Sequence, residues 1–503
     1  MKRLLLVSLF TLILSTSFAQ IPPEWKNRWW EGVLEEASLP INLCMQNLFS
    51  EWKTKNAEST ENALNIIKQM TGQTGDHLLT DLYPVLYSPL QTPQPFQAND
   101  DFSFVNDTLR FSIQNLGVKM TLVYNHKDST FTGTFRQGMN RFDIRLTPCD
   151  TMTTFNRPQT PEPPYAFRAE QVVVKHKDKK GNEVELAGTL AIPTVAATGE
   201  KGYPAVVLVS GSGQQNRDEE VYLHKPFLIL ANELAKQGIA TLRYDDRGVG
   251  GSKGEVATAT TWDFADDAEA MFNYLRKRPE VDSRQVGILG HSEGGAIAPI
   301  IAARNRKVAF VVMMAGPGYS GSEVLIQQNG AIMRAQGVDE RLCKIRMECI
   351  KEIFSIASAT PDEEMQKKVA SIIDRHAASL TKEEQKQISL RHTDSYVWAQ
   401  QLNHPWIRAF LQLDPATYLP KVKCPILALN GVLDCQVTAE NIERISMLCF
   451  NNKNVQTGLL AGLNHFFQKC TTGSPSESLF IEQTIDPEVP ERIAGFILSI
   501  SRK

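Results

Sequence analysis

The sequence has no Cys-x-x-Cys pair, no excess of basic residues, and no long apolar run after its first twenty residues. Each absence removes a class of protein. Eight cysteines (44, 149, 343, 349, 424, 435, 449 and 470) spread over 503 residues are too sparse for a disulfide scaffold, and without paired spacing they offer no zinc site. Lysine and arginine total 53 against 56 aspartates and glutamates, a net charge of −3, so no cationic surplus exists to neutralise nucleic-acid phosphates. Past residue 20 no stretch approaches the roughly 18 apolar residues of a membrane-spanning helix. The short charged runs "KHKDKK" and "KEEQKQ" read as solvated loop and helix faces. Nothing in the sequence specifies an oligomeric state.

What is present is the composition of a globular protein, 42% apolar and 22% charged with 26 scattered prolines, in a chain long enough for two or three domains. Lys2 and Arg3 precede the apolar "LLLVSLFTLIL" and the small residues of Ser17-Phe18-Ala19. That order predicts a secretory signal over residues 1–19, cleaved before Gln20, and a periplasmic or secreted protein with no integral span. An uncleaved anchor is the alternative. In an exported chain Cys435 and Cys470 are one conceivable bridge; buried free thiols explain them equally.

Residues 20–155 form one block. A helical opening around "NALNIIKQM" gives way to "DTLRFSIQNL", "VKMTLVYNH", "STFTGTFRQG" and "NRFDIRLTP", whose period of two predicts a β-meander or small barrel. The proline-rich "NRPQTPEPPYAF" (156–167) reads as a linker. From residue 168 to 503 the texture changes. "QVVVKHKD" and "EVELAGTLAIP" suggest an antiparallel pair of strands. The runs "AVVLVSGSG", "IATLRYDDRG", "QVGILGHS", "VAFVVMMAG" and "CPILALNG" are apolar on both faces and alternate with helical segments, which predicts a doubly wound, mostly parallel sheet. About a hundred helix-favouring residues, 319–420, interrupt that rhythm and predict a helical cap. Trp398, Trp406 and Phe410 there either line a pocket or pack the cap's own core.

The chemistry starts at "GILGHSEGGA" (287–296). Gly290-His291-Ser292-Glu293-Gly294 fits G-x-S-x-G, and here an apolar strand precedes it and a small-residue helix follows. In such an elbow the serine is strained and its neighbours two positions away must lack side chains. A serine hydroxyl needs a base, and in this architecture the acid and then the histidine follow the nucleophile. Asp434 in "LALNGVLDCQV" leaves the last long strand, and His465 in "GLLAGLNHFFQ" is the only histidine beyond it. Ser292, His465 and Asp434 are therefore the expected catalytic residues: nucleophile, general base then acid, and orienting carboxylate. His291 points elsewhere on the turn, and His404 lies in the cap.

The expected oxyanion donors are the backbone N–H of Glu293 and one from Ser210-Gly211-Ser212-Gly213, with Ser212 first and Gly213 next. A simple tight turn would also explain those glycines. Asp245, Asp246 and Arg247 read as an ion-pair clasp. Asp218, Glu219 and Glu220 read as solvated charge, although one carboxylate could hold a substrate ammonium.

The segments "VLVSGSGQQNRDE", "RYDDRGVGGS", "GHSEGG", "LNGVLDCQV" and "LNHFFQ" resemble, in order, the signatures of cap-bearing bacterial α/β-hydrolases, the carboxylesterase and serine aminopeptidase-like family. The resemblance covers about residues 165–503. "WWEGVLE" and "GTFRQGMNRFDIRL" resemble the β-rich domain that precedes the hydrolase in related exported proteins. Ser210 departs from the histidine that many relatives carry before the first glycine. The resemblance implies an α/β-hydrolase fold with a helical cap, preceded by a small β-rich (α+β) domain. It implies cleavage of a small-molecule carboxylic ester through an acyl-enzyme, with no metal or organic cofactor. The alternatives are an exopeptidase or amidase with the same residues, and an inactive relative that only binds.

Overall fold

The computed structural model describes residues 21–34, 39–46, 82–88, 96–97, 102–113, 117–137, 140–151, 155–197, 199 and 201–501. The expected signal segment and the helical stretch near "NALNIIKQM" lie outside the described residues. The chain divides into two compact units, Met1–Asn156 and Arg157–Lys503.

The first unit is one antiparallel sheet. Its strands are β1 Trp29–Leu34, β2 Leu39–Gln46, β3 Tyr83–Tyr87, β4 Phe96–Gln97, β5 Ser103–Val105, β6 Thr108–Ile113, β7 Val118–Asn125, β8 Thr130–Gln137 and β9 Asn140–Cys149, in the order β4-β3-β2-β1-β9-β8-β7-β6-β5. Along β7, Val118, Met120, Leu122 and Tyr124 are buried while the residues between them are exposed, the signature of a sheet with one wet face. Asn106 and Asp107, both at positive φ, make the two-residue turn that sets Val105 opposite Thr108. Trp25 packs edge-on against Trp30 and Phe131, and Trp30 Nε1 donates to the Ser129 carbonyl at 2.8 Å. Two meanders, β1–β4 and β5–β9, are joined by the pairing of β1 with β9, and the edge strands β4 and β5 pair with no further strand among the described residues.

The second unit holds an eight-stranded sheet: β10 Phe167–Lys177, β11 Glu183–Pro193, β12 Tyr203–Val209, β13 Ala240–Tyr244, β14 Val281–His291, β15 Val311–Met314, β16 Ile426–Gly431 and β17 Val455–Leu460. Its order is β10-β11-β13-β12-β14-β15-β16-β17. β10 and β11 pair antiparallel, β11 meets β13 antiparallel, and every later pairing is parallel. This is the mostly parallel sheet that the apolar runs predict, in the α/β-hydrolase arrangement that the motif resemblance implies.

Helices α1 Pro226–Lys236, α2 Thr261–Leu275 and α3 Glu293–Arg304 precede or follow these strands in alternation. Between β15 and β16 lie α4 Gly321–Ala335, α5 Glu340–Ile356, α6 Asp362–Ala377, α7 Lys382–Gln387, α8 Asp394–Asn403 and α9 Pro405–Leu411. They share an apolar core of their own that includes Leu342, Ile353, Met365, Val369, Ile373 and Leu402. Then come α10 Glu440–Leu448 and α11 Glu488–Ser501. β12 shows why its run is apolar on both faces. Val206 and Leu208 pack with Phe227 and Leu230 of α1 and Ile493 and Ile497 of α11. Val207 and Val209 pack with Met271 of α2 and Ile297 of α3. Each such buried side chain contributes about 1.5–3 kcal/mol of transfer free energy. Among the described residues no helix is long and apolar enough to cross a membrane.

The linker expectation needs correction. Arg157 donates to the carbonyls of Tyr222, Leu479 and Ile481 at 2.9–3.0 Å. Gln159 donates to the Ile485 carbonyl and accepts from the N–H of Thr484 and of Ile485. Apart from the bond to Tyr222, these side chains satisfy backbone groups of the segment before α11, so the proline-rich stretch from Arg157 onward belongs to the second unit.

Candidate active site

Ser292 sits between the end of β14 and the start of α3, at φ 54° and ψ −118°. That left-handed conformation is costly for any residue with a Cβ and persists only where the surroundings enforce it. Here they do. The Ser292 N–H donates to the Met314 carbonyl at 2.9 Å, and its carbonyl accepts from Gly295 at 2.8 Å. A Cβ on Gly290 would stand 1.8 Å from the Gly294 carbonyl oxygen, and one on Gly294 would stand 2.2 Å from that of Val209. Strand and helix therefore touch backbone to backbone around the serine. The first N–H groups of α3 have no intrahelical acceptor and present the positive end of its dipole beside Ser292.

Asp434 follows β16 and is pinned by its own loop. Its Oδ1 accepts from the N–H of Gln436 at 2.7 Å and of Val437 at 2.8 Å, and its Oδ2 accepts from His465 Nδ1 at 2.8 Å. Both side chains are buried. The histidine rides on a turn built by Asn464, whose Oδ1 accepts from Phe466 and Gln468 while its Nδ2 donates to Ser478 Oγ. With Nδ1 committed to Asp434, Nε2 is the ring nitrogen left for chemistry. The structure thus brings acid and histidine together. Ser292 Oγ makes no hydrogen bond among the described residues, while its neighbour His291 places Nε2 3.0 Å from the His465 carbonyl.

The loop after β12 runs against the serine: a Cβ on Gly211 would stand 3.1 Å from Ser292 Cβ. The Gly211 N–H donates to Glu219 Oε1 at 2.6 Å, so it is committed. Ser212 and Gly213 are exposed, and Gly213 has φ +102°. Glu293 N lies at the first position of α3. Ser210 Oγ donates to Asp246 Oδ1 at 3.0 Å, and Asp246 Oδ2 accepts from the Gln215 N–H at 3.0 Å. Burial pushes the Asp246 carboxyl up to about 8, with the charges of Glu293 and Asp267 adding to it and the Gln215 and Ser210 bonds opposing it.

Several expectations change here. Glu219 is buried, not solvated: besides Gly211 it accepts from His291 Nδ1 at 2.9 Å. Asp218 pairs with Arg243, and Glu220 lies 3.8 Å from Lys225. The clasp is split. Asp245 pairs with Arg217 at 2.7 Å, joining the loops after β12 and β13, and Arg247 pairs with Asp267 of α2 at 2.6 Å. Cys435 and Cys470 are free thiols. Trp398 packs on Phe354 inside the cap, but Trp406 reaches the elbow and donates Nε1–H to Glu293 Oε1 at 2.9 Å. Thr261 Oγ1 donates to the same oxygen at 2.5 Å. Burial raises the Glu293 carboxyl above the usual range, with these two bonds opposing it. His404 accepts from the Trp406 N–H at the start of α9 and is not in the site.

Sequence reasoning missed Glu219 and His291. Only the histidine next to Ser292 gives a visible signal, and a buried carboxylate 72 positions earlier gives none. Among the described residues no group of three or more His, Cys, Asp or Glu side chains is placed to hold a metal ion.

The esterase EstD of Thermotoga maritima is 26% identical over 313 residues, which span 62% of this chain and 65% of that enzyme, just under two thirds of its length. An uncharacterised 31.7 kDa protein of Escherichia coli is 30% identical over 82 residues, 16% of this chain and 29% of its own. Among solved structures, the Pyrococcus furiosus esterase Pf2001 overlaps 66% of this chain and 93% of its own at 17% identity, with a TM-score of 0.39. Est1E of Butyrivibrio proteoclasticus, solved with ferulic acid, overlaps 66% and 100% at 16% identity, with a TM-score of 0.38. The model of the X-Pro dipeptidyl-peptidase (S15) family matches residues 180–455, more than half of the sequence and all of the sheet from β12 to the start of β17. The chain belongs to the X-Pro dipeptidyl-peptidase (S15) family of α/β-hydrolases.

Proposed function

We propose that the protein is an exported serine hydrolase that cleaves small carboxylic esters. Ser292 Oγ attacks the ester carbonyl as His465 Nε2 takes its proton, and the alkoxide leaves with that proton. Water then hydrolyses the acyl-serine by the same route, with His465 again base and then acid. Asp434 holds the imidazole in the required tautomer and stabilises its charged form. The N–H groups of Glu293 and Ser212, with Gly213 beside it, receive the oxyanion; such donors are worth about 3–4 kcal/mol each. In this mechanism the bond from Ser292 Oγ to His465 Nε2 forms with substrate in place. The observation that carries this reading is the strained backbone of Ser292, held between Gly290 and Gly294.

The family's name favours a second reading, removal of N-terminal dipeptides. That chemistry needs a carboxylate free to hold the substrate's ammonium group. The three acidic side chains that follow the oxyanion loop already have partners: Asp218 has Arg243, Glu219 has Gly211 and His291, and Glu220 has Lys225 and Asn216. Their engagement supports the ester. Export rests on the apolar N-terminal run with cleavage near Ala19.

Turnover of p-nitrophenyl esters and of X-Pro p-nitroanilides by the wild type and by Ser292→Ala tests both readings. Esters are expected to be the faster substrates, with Ser292→Ala inactive on them. Faster anilides would reverse the substrate assignment, and an active Ser292→Ala would remove the mechanism.

A further inference from the structure

His291 stands beside the nucleophile with both ring nitrogens facing acceptors. Nδ1 is 2.9 Å from Glu219 Oε1, and Nε2 is 3.0 Å from the backbone carbonyl of His465. The carbonyl only accepts, and Glu219 Oε1 also accepts from the Gly211 N–H at 2.6 Å. If both contacts are hydrogen bonds, both nitrogens donate, which is the bonding pattern of an imidazolium.

We propose that Glu219 and His291 are positioning residues, a buried carboxylate–imidazolium pair that holds the oxyanion loop and the catalytic-histidine loop in register with Ser292. The inference rests on the esterase mechanism above and adds to it. Three bonds do the holding: Gly211 to Glu219, Glu219 to His291, and His291 to His465. They join the three chain segments that the reaction requires at one point, next to the serine.

The setting explains why the pair is charged. Burial works against the proton on His291, but the Glu219 carboxylate, the His465 carbonyl and the more distant Asp434 outweigh it and hold its pKa above the ordinary histidine value. The His465 ring is 4.8 Å away centre to centre, and Phe466 and Phe467 complete the enclosure. Glu219 adopts φ +51°, a strained conformation that aims its side chain inward at the loop.

Glu219→Gln removes the charge at nearly constant shape. The amide oxygen cannot stabilise an imidazolium as the carboxylate does. A neutral His291 then has one bare nitrogen facing an acceptor, and one of the three bonds is lost. With active sites counted by fluorophosphonate titration, kcat per site is expected to fall about 10- to 100-fold, less than the full loss of one oxyanion donor. KM should stay within about twofold, because the pair touches the loops rather than the ground-state substrate. Affinity for phenylboronic acid, whose tetrahedral adduct occupies the oxyanion site, should fall with kcat. Glu219→Asp should recover part of the loss.

A purely structural role would lower the number of titratable sites while leaving kcat per site and boronate affinity unchanged, and that result overturns the proposal. Should Glu219→Gln fail to fold, the wild type still decides the matter. Nitrogen-15 spectra of its histidines, with the His291→Gln variant giving the assignment, should show both His291 nitrogens protonated at neutral pH. One bare nitrogen overturns the pair. Ser292→Ala serves as the separate control: if it retains esterase activity, the mechanism fails whatever His291 shows.

Discussion

Trp406 in the cap gives its indole N–H to Glu293 Oε1 at 2.9 Å, and Glu293 is the residue that follows Ser292. The cap and the elbow are thus joined by a partly buried polar contact through the Glu293 side chain. Trp406 also stacks on Phe410 at 5.2 Å.

Replacing Trp406 with Phe keeps the stacking and deletes the donor. Glu293 is left with Thr261 alone in a buried setting, which should cost about 1–3 kcal/mol of stability. Urea unfolding measures that loss. A severalfold drop in kcat should accompany it on esters of every acyl length, and Trp406→Phe at wild-type stability would show the bond to be idle.

The elbow glycines should be intolerant for a reason that distinguishes them from other glycines. Gly290→Ala places a methyl 1.8 Å from a carbonyl oxygen of α3, and no side-chain rotation can relieve it. Soluble, active Gly290→Ala would be incompatible with the described turn. Gly495, exposed within α11, has nothing within 4 Å of an added Cβ. Gly495→Ala should therefore stabilise the protein by about 0.5–1 kcal/mol, read as a higher Tm.

Asp246 should make stability fall as pH rises. Its folded pKa, about 8, lies above the ordinary value of 3.8. Between those values the folded chain binds more protons than the unfolded one, so unfolding free energy declines with increasing pH across that window. Asp246→Asn removes the ionisation and keeps the Ser210 and Gln215 contacts within reach. Denaturation curves at several pH values between 5 and 8 should show a shallower decline for Asp246→Asn than for wild type. Identical slopes would exclude Asp246 as the source.

Much of this was legible from residue types. The period of two in "VKMTLVYNH" and the doubly apolar "AVVLV" follow directly from which faces are covered, and both strands form where the pattern puts them. The elbow was legible because Gly290 and Gly294 are required by close backbone contact rather than by preference. The acidic group after the β12 loop was not. Charge favours water unless a partner waits in the fold, and the partners of Glu219 come from the adjacent turn and from β14, which sequence spacing does not reveal. Arg157 and Gln159 are the same kind of case: proline-rich composition suggests a tether, while their acceptors lie more than 300 residues away in the chain or, for one of them, at Tyr222.

The central claim is that Ser292 is the nucleophile, and covalent labelling tests it most directly. After reaction with a fluorophosphonate, intact-mass and peptide analysis should find one adduct per chain, on the peptide carrying Ser292, with esterase activity lost in proportion. An adduct on another residue, or full activity after stoichiometric labelling of Ser292, would contradict the account.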